Sequence, residues 1–136
     1  MTLSAITTYP ELWAAGVDLY GVSDFRTMLK NTSSYRRKHR AAEYGDLEAD
    51  ADFLAEIAPV NHVDRMRAPL MVLHGDTDPR VPISETEQMV IAVKEHGGEV
   101  EYVRFEGEGH GFVKRANRLR AYTAIGDFLD RYLGVG

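Results

Sequence analysis

Three apolar runs in this chain have the length and pattern of β-strands. Pro69–Leu73 is continuously apolar between turn residues, which is typical of a strand buried on both faces of a parallel sheet. Glu99–Phe105 alternates between polar and apolar residues except at Tyr102–Val103 and predicts a strand nearer the sheet edge. Ala14–Gly21 predicts a short buried strand that ends at glycine.

Helical patterns precede, separate and follow these strands, and prolines, glycines and capping residues mark their ends. The predicted helices are Met1–Tyr9 before Pro10, Phe25–Leu29 after a cap at Ser23 or Asp24, Asp50–Ile57 before Pro59, Ser84–His96 before Gly97–Gly98, and a C-terminal helix through Leu119 and Leu133. This succession of strands and helices predicts parallel βαβ units and an α/β fold, with residues 1–136 in one unit.

Two details of these helices lead to specific predictions about packing. Ser84 and Glu87 have the spacing of a capping box, so Ser84 is interpreted as a helix cap. In the C-terminal helix, an apolar stripe is interpreted as core, and it includes Tyr122, Phe128 and Leu129.

The stretch from Lys30 to Asp50 is polar and interrupted by turn residues. We assign no helix or strand to it. It contains the basic cluster Arg36–Arg40. Such a cluster can bind phosphate, but a solvated helix face or loop is its more common setting, and we interpret it in that way.

Composition is that of an ordinary globular protein, with 44% hydrophobic and 27% charged residues. The formal net charge of −5 argues against nucleic acid or an anionic membrane as the main partner. The absence of cysteine excludes disulfides and thiolate sites and fits a reducing compartment. No apolar run approaches the ~18 residues needed to span a bilayer, and the N-terminus lacks a signal-peptide pattern. The sequence therefore predicts a cytoplasmic location.

An acid and a histidine follow two of the predicted strands, in loops marked by glycine and proline. Asp78 follows the run Pro69–Leu73, and His110 follows the strand that ends at Phe105. Functional groups of open α/β sheets cluster beyond the carboxyl ends of the strands, so we expect these two side chains to lie close together. An Asp bound to one imidazole nitrogen leaves the other nitrogen to act as a general base for a serine. The order acid before histidine is that of an α/β-hydrolase triad, although singly each residue also fits an ordinary loop.

Other patterns in the same loops carry less weight. His74, Asp76 and Asp78 alternate in an extended segment and can share a face as metal ligands, but no further ligand cluster supports a metal site. The glycines of Gly107–Gly111 lack both the Lys-Ser/Thr of a phosphate loop and the full dinucleotide spacing. We therefore expect neither a metal nor a cofactor.

Taken together, these segments resemble a known family. The pattern His74-Gly75-x-x-Asp78-x-Arg80-Val81-Pro82, followed by Gly109-His110-Gly111-Phe112, is similar to the C-terminal part of the α/β-hydrolase domain of the prolyl oligopeptidase family, which includes dipeptidyl and acylaminoacyl peptidases. Segments 1–3 and 9–17 resemble the helix and strand that follow the nucleophile elbow of that family, and segment 20–25 continues the match. The resemblance covers nearly the whole chain, least clearly between Thr27 and Asn61.

The resemblance implies a serine peptidase or hydrolase that acts on a peptide or small ester. It implies Asp78, rather than its competitor Asp76, as the triad acid and His110 as the triad histidine. In the family the nucleophilic serine lies in a Gly-x-Ser-x-Gly-Gly turn just before the position matching Met1. No Gly-x-Ser-x-Gly occurs in the 136 residues, and the serines present lack such an elbow: Ser4, Ser23, Ser33, Ser34 and Ser84.

We therefore expect a piece of a serine peptidase that begins at an internal methionine and is inactive alone. The alternative is a non-catalytic α/β module, structural or for interaction, that retains triad remnants. In the family the strand Ala14–Leu19 would pair with the absent nucleophile strand, which leaves an apolar edge open. We expect this edge to pair with a second copy, with a complementary segment or in aggregates, and a homodimer whose two sheets join at this edge is the preferred solution. A clean monomer at high concentration in size-exclusion chromatography with light scattering would contradict that expectation.

Overall fold

A computed structural model describes residues 1–134 and shows an α/β fold, as the sequence predicts. Its strands are β1 (Gly16–Leu19), β2 (Leu70–Gly75) and β3 (Val100–Phe105). Its helices are α1 (Thr2–Thr8), α2 (Phe25–Asn31), α3 (Ser34–Tyr44), α4 (Ala51–Glu56), α5 (Ile83–Glu95) and α6 (Arg115–Leu133), with 3₁₀ segments at Pro10–Leu12 and Pro59–Arg65. Within the described residues, no helix combines the length and the apolar character that crossing a membrane requires.

The three strands run parallel in the order β1-β2-β3. Leu70 begins β2 opposite Gly16 of β1 and Val100 of β3, and Gly75 ends it opposite Phe105. Every residue of β2 is buried, whereas β3 is only partly covered, in agreement with their sequence patterns. Because all three carboxyl ends lie at one edge of the sheet, the loops that follow the strands meet there. The pairing of the free edge of β1 stays a prediction.

The two faces of β2 contribute to two separate clusters of apolar side chains. Leu70 and Val72 pack with α1 and α5, in a cluster that contains Leu3, Ile6, Val63, Met89, Val90 and Val93. Met71 and Leu73 pack on the other face with Phe105 and with α6, in a cluster that contains Ala121 and Phe128. This two-sided burial explains why the β2 run is continuously apolar rather than alternating.

Helix α3 occupies a stretch in which the sequence predicted no element. None of its residues is buried, so it has no apolar stripe of the kind that marks a helix packed on a core. The prediction missed it for that reason. The basic cluster Arg36–Arg40 lies on this helix.

The interpretation of Ser84 as a helix cap was wrong. Helix α5 begins at Ile83, and Pro82, with φ −58° and ψ +137°, occupies the N-cap position without a side-chain cap. Ser84 therefore lies inside the first turn. The second helix, by contrast, begins as predicted, because the Asp24 side chain accepts a hydrogen bond from the Arg26 amide at 2.8 Å.

The interpretation of the C-terminal stripe as core holds only in part. Phe128 is fully buried and Leu129 packs against the same cluster, but Tyr122 is 69% exposed. The face of α6 that touches the sheet contains Ala121, and the next residue points about 100° away around the helix. Tyr122 is therefore directed away from the core.

The carboxyl group of Asp18 in β1 makes stability depend on pH. Burial raises the pKa of Asp18 from 3.8 to about 6, even though the Gly21 amide donates a hydrogen bond to the carboxyl. The folded state thus holds the proton more tightly than the unfolded chain. The resulting stabilisation is complete below about pH 4 and is lost as the pH rises through about 6.

We expect Asp18→Asn to raise the free energy of unfolding by about 2 kcal/mol near pH 8, because the neutral amide removes the buried charge and still accepts from Gly21. Near pH 4, where the carboxyl is protonated, we expect little change. Urea unfolding of both proteins at the two pH values measures this. An equal effect at both pH values would contradict it.

Candidate active site

The three strands each direct one aromatic or ionisable side chain to the same place beyond their carboxyl ends. Tyr20 directly follows β1, Asp78 lies in the loop between β2 and α5, and His110 lies in the loop between β3 and α6. We call the last two loops the acid loop (residues 76–82) and the histidine loop (residues 106–114). Functional groups collect at this edge of an open α/β sheet because the loops of neighbouring parallel strands converge there.

Asp78 and His110 form a direct hydrogen bond. His110 Nδ1 lies 2.8 Å from Asp78 Oδ2. The Asp78 side chain is fully buried, whereas the His110 side chain is 32% exposed. An ionised carboxylate only accepts hydrogen bonds, so Nδ1 carries the proton and the lone pair is on Nε2. Within residues 1–134, Nε2 has no hydrogen-bond partner, which leaves it available to a substrate or nucleophile.

The carboxylate of Asp78 is stabilised in its charged form by its own loop. Burial opposes ionisation, but the amides of Val81 at 3.0 Å and Arg80 at 2.7 Å donate to Oδ1, and His110 donates to Oδ2. Together these donors hold the pKa of Asp78 below its ordinary value. The acid is therefore ionised at neutral pH, as the orientation of His110 requires.

Asp76, the competing acid, lies elsewhere in the network. Its carboxylate accepts from the Gly107 amide at 2.7 Å and from Arg104 at 3.2 Å. The Gly107 amide is the main cause of the lowered pKa of Asp76, with a smaller contribution from Arg104. Asp76 thus ties the start of the acid loop to the histidine loop, and it makes no hydrogen bond with His110.

The acid loop and the histidine loop are also joined through their backbones. Thr77 donates to the Glu108 carbonyl oxygen twice, from its amide at 3.0 Å and from its hydroxyl at 2.9 Å. Gly75 passes so close that a Cβ atom there would lie 2.3 Å from the same oxygen. Such an approach requires glycine. The distance between Asp78 and His110 therefore depends on close contact of two loops.

A buried carboxylate shapes the histidine loop from inside. Glu108 accepts from the amides of Val113 at 2.9 Å and Lys114 at 3.0 Å, and from the Asn117 side chain at 2.8 Å. The Asn117 hydrogen bond is the main cause of the lowered pKa of Glu108, and the two amides add to it. No sequence pattern marks this residue, because its partners come together only when the loop closes.

A second imidazole lies behind Asp78. His74 is fully buried, with Nδ1 at 2.7 Å from the Thr86 hydroxyl and Nε2 at 3.1 Å from the Val81 carbonyl oxygen and 3.3 Å from Asp78 Oδ2. A carbonyl oxygen only accepts, so Nε2 donates and Nδ1 accepts from Thr86. Burial lowers the pKa of His74, which keeps the ring neutral. His74 thus stabilises the acid loop through its contacts with Val81 and Asp78.

The metal alternative finds no set of ligands in this arrangement. Both ring nitrogens of His74 already have hydrogen-bond partners, and Asp76 points to Gly107 and Arg104. Across residues 1–134, no three His, Asp or Glu side chains come together in a way that could hold a metal ion.

Tyr20 contacts His110 from the side of β1, and the sequence did not single it out. Its ring centroid lies 4.8 Å from that of His110, and it meets His74 edge-on at 5.6 Å. Its φ of +59° lies in the left-handed region that residues other than glycine rarely adopt. Strained backbone of this kind is concentrated at functional sites. The sequence signals at this position were the strand end at Gly21 and the resemblance of segment 20–25 to the family, and neither assigned Tyr20 a role.

The site is therefore an oriented imidazole with an ionised acid behind it, and within residues 1–134 it has no nucleophile. The Ser23 side chain is engaged elsewhere, because it donates to the Glu85 carbonyl oxygen at 2.6 Å. Among the described residues, no serine makes a hydrogen bond with His110. The arrangement can accept a proton at Nε2 and return it, which is the chemistry of a general acid–base.

Comparisons with known proteins concern the chain as a whole. The model of the prolyl oligopeptidase family matches residues 1–136. Dipeptidyl aminopeptidase BIII of Pseudoxanthomonas mexicana is 35% identical over 139 residues, which cover 98% of this chain and 20% of the relative. Dipeptidyl peptidase family member 6 of Caenorhabditis elegans is 31% identical over 140 residues, which cover 98% of this chain and 19% of the relative. The chain thus spans about a fifth of the length of these curated relatives.

The solved structures that resemble this fold include a puromycin-hydrolyzing peptidase of Mycobacterium tuberculosis. It is 30% identical and superposes with a TM-score of 0.93 over 99% of this chain and 20% of its own. An acylaminoacyl peptidase of Pyrococcus horikoshii superposes with a TM-score of 0.85 at 25% identity, over 97% of this chain and 22% of its own. These matches place the sheet and its helices in the α/β-hydrolase fold.

Proposed function

The chain belongs to the prolyl oligopeptidase family, and we propose that it carries the acid and the general base of a Ser–His–Asp hydrolase. Asp78 is the acid and His110 the base. The observation that supports this most directly is the 2.8 Å hydrogen bond between them, made by an acid that is buried and a histidine that is partly exposed. The nucleophilic serine and the oxyanion hole belong to a segment outside residues 1–136, because these residues contain no Gly-x-Ser-x-Gly.

In the proposed reaction, His110 Nε2 takes the proton of the serine hydroxyl as the serine attacks the carbonyl carbon of a peptide or small ester. The imidazolium that forms is stabilised by the ionised Asp78 across Nδ1. Nε2 then gives the proton to the leaving amine or alcohol, and a water molecule releases the acyl group by the same exchange. In this proposal, residues 1–136 are the C-terminal portion of a larger hydrolase domain. The match to the relative, which covers about a fifth of its length, agrees with this.

A chimaera tests the proposal. Residues 1–136 replace the matching segment of the Pseudoxanthomonas aminopeptidase. In the proposal, the rest of that aminopeptidase provides the serine. We expect the chimaera to hydrolyse a dipeptidyl chromogenic substrate, and His110→Ala to lower kcat by at least about a thousandfold. A folded chimaera without activity would favour the non-catalytic module instead.

The isolated chain provides the complementary measurement. We expect no labelling by a fluorophosphonate probe and no turnover of p-nitrophenyl acetate that depends on His110, because the chain holds no serine in an elbow. Comparison with His110→Ala corrects for non-specific reaction. Labelling that disappears in this variant would show that a serine within the chain has been recruited, contrary to the proposal.

A further inference from the structure

Helix α3 and the acid loop form a positively charged recess that the proposed acid–base chemistry does not use. The recess has a volume of about 310 Å³ and is lined by Arg36, His39, Arg40, Glu43 and Arg80. The first four lie three or four residues apart in α3 and so share one face of the helix. Arg80 comes from a different part of the chain. The fold therefore brings together basic residues that are distant in the sequence.

The recess holds more positive charge than its own carboxylate can balance. Arg40 forms an ion pair with Glu43 at 3.0 Å, but within residues 1–134 neither Arg36 nor Arg80 pairs with an acid. Like charges four residues apart on a helix, such as Arg36 and Arg40, destabilise it. This concentration of positive charge occurs in a chain whose net charge is −5. A negatively charged ligand would relieve the repulsion.

Two of the arginines are held in place rather than free in solvent. Arg40 donates to Tyr44 at 3.1 Å and lies over its ring at 5.6 Å, and Arg36 lies over the ring of Tyr35 at 5.3 Å. Both arginines are half-buried, whereas Lys38 of the same cluster is exposed. Fixed guanidinium groups lose less conformational entropy when they bind a ligand. This distinguishes the recess from a solvated helix face.

The recess adjoins the proposed catalytic pair. The Arg80 amide donates to Asp78 Oδ1 at 2.7 Å, so the backbone of Arg80 is fixed relative to the acid. Two residues of extended chain span at most about 7 Å, which sets the scale of the separation along the backbone. Arg80 therefore lines the recess and lies two residues from the acid along the chain.

We propose that the recess binds the side-chain carboxylate of an acidic residue next to the bond that is cleaved. This inference rests on the proposed function and gives the substrate class: peptides with Asp or Glu near the scissile bond. Guanidinium groups suit this ligand because their planar N–H donors match the two oxygens of a carboxylate. Arg36 and Arg80 approach the recess from two elements and supply the unpaired charge.

Binding of two matched peptides to the 136-residue chain tests the inference. Acetyl-Ala-Glu-Ala-amide and acetyl-Ala-Gln-Ala-amide have the same size and uncharged ends, and only the first carries a carboxylate. In NMR titrations of the ¹⁵N-labelled chain, we expect the Glu peptide to shift the side-chain N–H signals of Arg36 and Arg80 with an affinity at least about tenfold higher than the Gln peptide. Added NaCl is expected to weaken this binding. Equal affinities would overturn the inference.

Two variants that each remove one positive charge locate the binding. We expect Arg36→Gln to weaken the Glu peptide by roughly threefold to tenfold, and Lys38→Gln, on the exposed side of the same helix, by less than about twofold. Equal losses would indicate a diffuse field and overturn the site. If Arg36→Gln does not fold, Arg80→Gln serves in its place, because only the backbone of Arg80 touches Asp78.

A titration with inorganic phosphate distinguishes a peptide carboxylate from a free anion. Shifts of the same arginine signals by phosphate, without any by the Glu peptide, would overturn the inference. Binding in all these experiments requires neither a serine nor turnover. Its failure is therefore a separate result from an inactive chimaera, which concerns Asp78 and His110.

Discussion

Asp78→Asn is expected to lower kcat of the chimaera by about ten-thousand-fold. In the native protein Asp78 accepts the Nδ1 proton of His110. An amide nitrogen at that position donates instead, so His110 must turn Nδ1 into an acceptor and place its proton on Nε2. The imidazole is then in the wrong tautomer to take a proton from the serine, and the imidazolium loses the charge that stabilises it.

Asp76→Asn is the matched control, because the same change is made two residues earlier in the same loop. The amide oxygen of Asn can still accept from the Gly107 amide, and only the interaction with Arg104 is weakened. We expect kcat to fall by less than about tenfold. Steady-state kinetics of the two variants, with circular dichroism to verify folding, gives the comparison. Similar losses in both, or a larger loss in Asp76→Asn, would contradict the assignment of Asp78 as the triad acid.

Gly75→Ala is expected to lower the free energy of unfolding by about 3–5 kcal/mol. The new methyl group would lie 2.3 Å from the Glu108 carbonyl oxygen and 2.5 Å from that of Gly109. Backbone atoms cannot rotate away as a flexible side chain can, so the histidine loop must move as a whole. That movement would break the hydrogen bonds between Thr77 and Glu108 and separate His110 from Asp78.

Gly126→Ala provides a control of opposite sign. Gly126 lies in the exposed middle of α6, and a Cβ atom there would meet no other atom within 4 Å. Alanine is the better helix former, so we expect this variant to be more stable by about 0.5–1 kcal/mol. Urea unfolding monitored by circular dichroism measures both variants. A Gly75→Ala protein as stable as the parent would mean that the two loops do not depend on this close approach.

The hydrogen bonds around Asp78 and His110 explain how this three-stranded sheet keeps the two groups oriented. His74 supports the acid loop through Val81, and Glu108 supports the histidine loop through Val113 and Asn117. The side chains of His74 and Glu108 are both buried. Loss of a hydrogen-bond partner is therefore costly for either of them. The orientation of Asp78 and His110 thus depends on buried groups outside the pair.

The sequence by itself determined the elements that have a local pattern of polar and apolar residues, and the order of the candidate site residues along the chain. A continuous apolar run was sufficient to predict β2, because burial on both faces requires apolar residues throughout the strand. The mixed polar and apolar pattern of residues 99–105 was sufficient to predict β3 as a less buried strand. The loops after β2 and β3 contain Asp78 and His110, in the order of a hydrolase triad. The resemblance of these segments to the prolyl oligopeptidase family agrees with the family match. Local sequence patterns are sufficient for prediction where the geometry of a single strand or helix sets the spacing of its apolar residues.

Only the tertiary structure decided what depends on residues distant in the chain. Helix α3 left no apolar stripe to recognise, Tyr122 lies on the apolar stripe yet points to solvent, and Pro82 replaced Ser84 at the start of α5. The hydrogen-bond partners of Asp76 and Asp78 also depended on the fold, because Gly107 and Arg104 approach the first and His110 the second. A hydrogen bond between the acid loop and the histidine loop depends on the relative position of the two loops. The spacing of residues within either loop does not determine that position.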